Sequence, residues 1–112
     1  MIKIRIKSAQ SIATILTDND SPALGQQFVL QGNAHCRLLS GNQKGIDAVN
    51  IVIFVLENIE ALSSGLLSAY LYEKLNSKKV DSIEIDGKSI PMDKKSIEDA
   101  LNERKKQHND KR

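Results

Sequence analysis

Residues 47–75 read DAVNIVIFVLENIEALSSGLLSAYLYEKL, and the way this stretch folds decides the architecture. From Glu57 onward, Ile59, Leu62, Leu66, Tyr70 and Leu71 recur at helical spacing, which predicts a helix over 58–76. The front part, residues 49–56, is harder to read. Its β-branched residues suit a buried strand and its continuity suits a buried helix; periodicity does not separate the two. Read as one helix, the element runs about 29 residues and ~43 Å at roughly 1.5 Å per residue. Ser63-Ser64-Gly65 is then its weak point. One long or kinked helix is the expectation.

Downstream, residues 80–90 read VDSIEIDGKSI. Asp86-Gly87 between alternating segments predicts a two-residue type I′ hairpin. That loop pairs Ile85 with Lys88 and Ile83 with Ile90, so two isoleucines share a face. Pro91 stops the pairing. A last helix then starts at Asp93 or Ser96 and ends near Gln107, with Ile97, Ala100 and Leu101 as its apolar stripe. Ser96 with Asp99 resembles a capping box. Glu98 and Asp99 at one end, and Arg104, Lys105 and Lys106 at the other, suit the helix dipole. Residues 108–112 are expected to fray as a basic tail.

Upstream, Ile2, Ile4 and Ile6 alternate with Lys3, Arg5 and Lys7, a strand with a basic outer face. Ile12, Ile15 and Leu16 suit a short helix capped by Ser8 or Ser11. Asp18 to Pro22 breaks it, and Pro22 opens a helical turn through Gln27. Residues 28–30 and 34–39 predict a hairpin about Gln31-Gly32-Asn33, and residues 40–45 a closing loop. The fold class is α+β. A single small domain over 1–107 holds a mainly antiparallel sheet, one long central helix and a C-terminal helix.

The 112 residues leave too little chain for a second core. A charge of +2 argues against a strongly basic nucleic-acid binder. Aromatics are only 4% with no Trp, so the core is aliphatic. Cys36 is the single cysteine, so no internal disulfide forms, which fits a reducing, cytoplasmic setting. The N-terminus lacks the continuous apolar region of a secretory signal. Glu57, Asn58 and Glu60 interrupt the most apolar stretch, so no membrane span is expected.

The run ALSSGLLSAYLYEKL over 61–75, a polar linker, the IEIDGK hairpin and a short charged helix have a recognisable shape. They resemble the small bacterial domains associated with conflict-system effectors, including the effector-associated constant component type. The resemblance covers residues 45–104. It implies an accessory or regulatory module rather than an enzyme.

The residues themselves offer little catalytic chemistry. His35 and Cys36 are neighbours on a strand, so they point to opposite faces and form no dyad. No C-x-x-C or H-x-x-x-H spacing suggests a metal, and no glycine fingerprint suggests a nucleotide, so no cofactor is expected. On a helix, Glu57 and Glu60 share a face; a solvated stripe is the plainer reading, and a hydrolase carboxylate pair the alternative. Lys3, Arg5, Lys7, Arg104, Lys105 and Lys106 are candidate phosphate contacts, with few aromatics to stack on bases. Ser63, Ser64, Gly65, Ser68 and Ala69 give the central helix a small-residue face suited to a homo-oligomer.

Splitting the charge sharpens the picture. Residues 1–7 carry +3, residues 104–112 carry +4, and the middle is net −5. Asp47, Glu57, Glu60, Glu84 and Asp86 are therefore the candidate surface for a basic protein partner. The function expected is non-enzymatic: an accessory protein that masks a bacterial toxin or effector, as an immunity protein does. The alternatives are a homo-oligomerising structural module and a weak nucleic-acid binder.

Overall fold

Alternation at the N-terminus builds the centre of the molecule. Strand β1 (Ile2–Ser8) runs antiparallel between β4 (Asn50–Leu56) and β5 (Val80–Ile85). With β2 (Gln27–Leu30), β3 (Ala34–Gln43) and β6 (Lys88–Ile90) they form one six-stranded antiparallel sheet. The order across it is β2-β3-β4-β1-β5-β6. Helices α1 (Ala13–Thr17), α2 (Ser64–Leu75) and α3 (Lys94–Asp110) complete an α+β domain. The computed structural model describes residues 1–8, 12–18, 23–43, 50–76 and 80–110.

Ile2, Ile4 and Ile6 are fully buried. Opposite them lie Leu56, Phe54 and Val52 on β4, and Ile85 and Ile83 on β5. Ile12, Leu16, Leu67, Leu71, Leu75, Ile97 and Leu101 bring the helices onto that same face. Each such side chain contributes roughly 1.5–3 kcal/mol by leaving water.

The long central helix expected over 47–75 is instead a strand, a turn and a helix. Strand β4 is followed by a single 3-10 turn, Ile59–Ala61, and only then by α2. The reason is local. Ser63 caps α2 by accepting the Leu66 N–H at 3.3 Å, and its own N–H donates to Gly32 O at 2.8 Å. The helix therefore cannot extend back to residue 58. Its buried stripe is Ser64, Leu67, Ser68, Leu71 and Leu75, while Leu66, expected inside, is 58% exposed. Residues 51–56 read as continuously apolar because β4 is a central strand. Val52, Phe54 and Leu56 face the core, and Ile51, Ile53 and Val55 face the other way.

Both hairpins form where turn chemistry places them. Asp86 and Gly87 take positive φ values of 51° and 84°, and Ile83 pairs with Ile90. The β2–β3 turn bends through Gly32 at φ 90° and Asn33 at φ 58°. Strand β3 runs on to Gln43 past a bulge between Leu38 and Ser40, so 40–43 is strand where a loop was expected. The helical turn expected from Pro22 through Gln27 is replaced, over the described residues 23–26, by a tight turn into β2. There Gln26 N–H donates to Ala23 O at 3.0 Å.

At the start of α3 the cap is Asp93 rather than Ser96. Asp93 accepts the Ser96 backbone N–H and the Ser96 hydroxyl, each at 2.8 Å. Those bonds, the backbone one first, hold its carboxyl below the ordinary aspartate value. Asp99 faces Lys95 at 3.7 Å instead. Helix α3 continues to Asp110, beyond the end expected at Gln107.

Candidate functional site

The three helices pack on one face of the sheet, and among the described residues no helix covers the other. Register defines the rows of that bare face. One row runs Arg37, Val55, Lys3; the next Ile53, Arg5, Glu84, Ser89; the third Ile51, Lys7, Ser82. The result is an apolar column on β4 with the basic column of β1 beside it. Ile51 and Ile53 are half-buried and Val55 is buried. The aliphatic stems of neighbouring Lys and Arg can account for part of that cover.

The candidate acidic residues do not form one free surface. Asp47 lies outside the described residues. Glu57 follows β4 and Glu60 sits in the 3-10 turn, so they do not share a helix face. Glu57 accepts from Arg37 Nε at 3.2 Å. Glu84 accepts from Arg5 Nη1 at 2.6 Å across the β1–β5 pair. Asp86 accepts from Arg104 Nε at 2.6 Å and from the Lys3 backbone N–H at 2.8 Å. The basic ends of the chain thus fold back onto its acidic middle.

Three of the six candidate phosphate contacts, Arg5, Arg104 and Lys105, are likewise engaged within the chain. Arg5 and Arg104 are the ion-pair partners just named. Arg104 also bonds Gln107. Lys105 Nζ donates to Leu62 O at 2.6 Å, tying α3 to the turn before α2. Lys3, Lys7 and Lys106 make no side-chain ion pair among the described residues. Lys3 and Lys7 face the bare side, while Lys106 sits on the exposed face of α3.

Asp86 is the most connected of these groups, with its side chain only 17% exposed. It joins the hairpin turn, the start of β1 and α3. Asp86→Ala is expected to cost about 2–3 kcal/mol, from two charge-assisted bonds and a left-handed backbone that alanine disfavours. Asp86→Asn keeps the backbone preference and one acceptor and is expected to cost about half as much. Urea unfolding of both variants checks this; an Asp86→Asn variant as stable as wild type would remove the role given to the ion pair.

His35 and Cys36 do point to opposite faces. His35 is exposed and Cys36 is 1% exposed, its thiol donating to Ala34 O at 3.3 Å. Burial first, then the negative charge of Glu57, pushes that thiol up to about 12, which leaves no thiolate near neutrality. Among the described residues no group of three His, Cys, Asp or Glu could hold a metal ion. None of their helices is long and apolar enough to cross a membrane. Two adjoining clefts of about 220 and 260 Å³ lie between α3 and the β5–β6 hairpin, below the ~300 Å³ at which small-molecule pockets begin.

Sequence reasoning missed Arg37 and the column Ile51, Ile53, Val55. Arg37 carried no local signal, since its partner Glu57 is fixed only by the β3–β4 register. The column was present as alternate residues of 51–56, readable once that stretch is a strand. No protein-family model, no curated protein and no solved structure matches the chain.

Proposed function

We propose that this is a non-enzymatic protein-binding accessory module whose docking surface is the bare face of the sheet. The observation that supports this is the layout of that face: an apolar column framed by charged side chains. Interfaces combine an apolar centre and a polar rim in this way. Glu57, Glu84 and Asp86 already hold Arg37, Arg5 and Arg104, so a basic partner has to break intramolecular pairs to reach them. The charges left over on the face are Lys3 and Lys7. The partner favoured is therefore a protein with an apolar centre and an acidic rim. Masking of a bacterial toxin or effector, as an immunity protein or regulator does, fits this reading as a steric mechanism.

The nucleic-acid reading is weaker on this face. Phe28 and Phe54 are in the core and Tyr70 and Tyr72 are on α2, so no aromatic platform accompanies the basic column. The hydrolase reading loses its geometry, because Glu57 and Glu60 sit on different elements.

Capture from native cells tests the proposal. Tagged wild type is expected to recover a stoichiometric protein, and Ile53→Asp to lose it by at least about tenfold while its circular dichroism is unchanged. Lys106→Glu, away from the face, is expected to behave as wild type. Equal recovery by wild type and Ile53→Asp overturns the assignment of the face. Steeply salt-dependent recovery of nucleic acid in place of a protein overturns the function.

A further inference from the structure

The two edges of the sheet are built differently. At β6 the edge is three residues long, carries Lys88 and is followed at once by Pro91. Short length, a lysine and a proline are the usual protections against strand-to-strand association. Strand β2, at four residues, is also short but has neither the lysine nor the proline. It reads Gln27-Phe28-Val29-Leu30, with no charge and no proline, and Val29 is 63% exposed.

Backbone pairing shows which β2 groups are free. Leu38 N–H donates to Gln26 O at 2.9 Å, and Gly25 N–H donates to Leu38 O at 2.7 Å. On the other side of β3, Glu57 N–H donates to His35 O at 2.7 Å. Bonding therefore alternates along β3, with Cys36 and Leu38 turned toward β2 and His35 and Arg37 toward β4. On β2 it follows that Phe28 and Leu30 bond β3, while the N–H and C=O groups of Gln27 and Val29 point away from the sheet.

We propose that β2 is a self-association edge, on which two copies of this chain pair antiparallel about a two-fold axis through Phe28. In that register Gln27 of one copy exchanges both backbone bonds with Val29 of the other, and the reverse. Every outward group of both residues is satisfied. The six-stranded sheets join into one continuous sheet.

Charge favours this geometry over stacking two bare faces. Edge pairing sets uncharged Gln27 beside uncharged Val29. Face stacking sets the Lys3, Arg5 and Lys7 columns of two copies close together, at a cost from like charges. Exposed apolar side chains also gather at this edge. Leu24, 73% exposed, lies just before β2. The two-fold carries it toward the β2–β3 turn of the second copy, the turn against which Leu66 packs. Small residues on α2 offer no competing face. Ser64 and Ser68 are buried within the chain, and Gly65 lies against Glu98 of α3.

A four-residue edge falls short of the ~1,000 Å² that a stable interface buries, so the dimer is weak and concentration-dependent. Sedimentation from about 10 µM to about 1 mM, with amide exchange at both ends of the range, tests it. A dimer is expected to grow in with concentration, and the Gln27 and Val29 amides to gain protection together. Val29→Pro removes an outward N–H without touching the β2–β3 ladder and is expected to weaken association at least about tenfold. Val29→Lys, which keeps the backbone, is expected to do the same if the proline variant fails to fold. A monomer throughout overturns the proposal. So does a dimer that leaves these amides unprotected or survives Val29→Lys. The Ile53→Asp variant is expected to dimerise as wild type, which keeps this edge separate from the partner-binding face.

Discussion

Gly32→Ala is expected to destabilise the protein by about 3–4 kcal/mol, a large fraction of what a domain of this size possesses. Two effects combine. Gly32 sits at φ 90°, a conformation that costs an L-residue roughly 1–2 kcal/mol. An added Cβ also lies 2.7 Å from Ser63 O and 2.9 Å from Leu67 N, both backbone atoms at the start of α2. Neither can move without shifting the helix or the turn. Gly25→Ala separates the two effects. Gly25 has φ 81° but nothing within 4 Å of its added Cβ. Its substitution is expected to cost about 1–2 kcal/mol, from the backbone alone. Urea midpoints with unchanged slopes give the comparison. Equal losses at the two glycines would show that docking of the β2–β3 turn onto α2 contributes nothing.

That contact also marks the limit of what was legible beforehand. The turn itself could be read, because Gln31-Gly32-Asn33 carries its own conformational preference. So could the Asp86-Gly87 hairpin and the buried face of β1, where alternation and turn chemistry act within a few residues. What the turn docks against could not be read. Ser63 is an ordinary helix cap in isolation, and its selection over residue 58 depends on Gly32 O, which is distant in sequence. The same holds for 51–56. Their apolarity on both faces follows from a central place in the sheet, which no window of that segment contains. The candidate site shows the separation most clearly. Its acidic and basic residues were visible as charges, and even their segregation along the chain was visible. That Arg5 meets Glu84, Arg37 meets Glu57 and Arg104 meets Asp86 depends on strand order and register. An open acidic surface was the natural reading of the composition, and folding closes most of it.

Phe54→Ala is expected to cost about 3–5 kcal/mol. Phe54 lies at the middle of β4, fully buried, opposite Ile4 on β1 and Leu38 on β3. With 4% aromatics and no Trp, few side chains are large enough to fill the space it leaves. Neighbours on both flanking strands are held by backbone pairing, so the cavity closes only partly. Phe54 also meets Phe28 edge-on, with centroids 5.6 Å apart and planes at 61°. A double-mutant cycle of Phe54→Leu with Phe28→Leu is expected to return a coupling of about 0.5–1.5 kcal/mol. This contact ties the central strand to the edge strand β2, so Phe28→Leu is expected to loosen β2 while β1 and β4 stay protected in amide exchange. Additive losses would mean that the two rings share only buried area, and that β2 is held by its ladder with β3 alone.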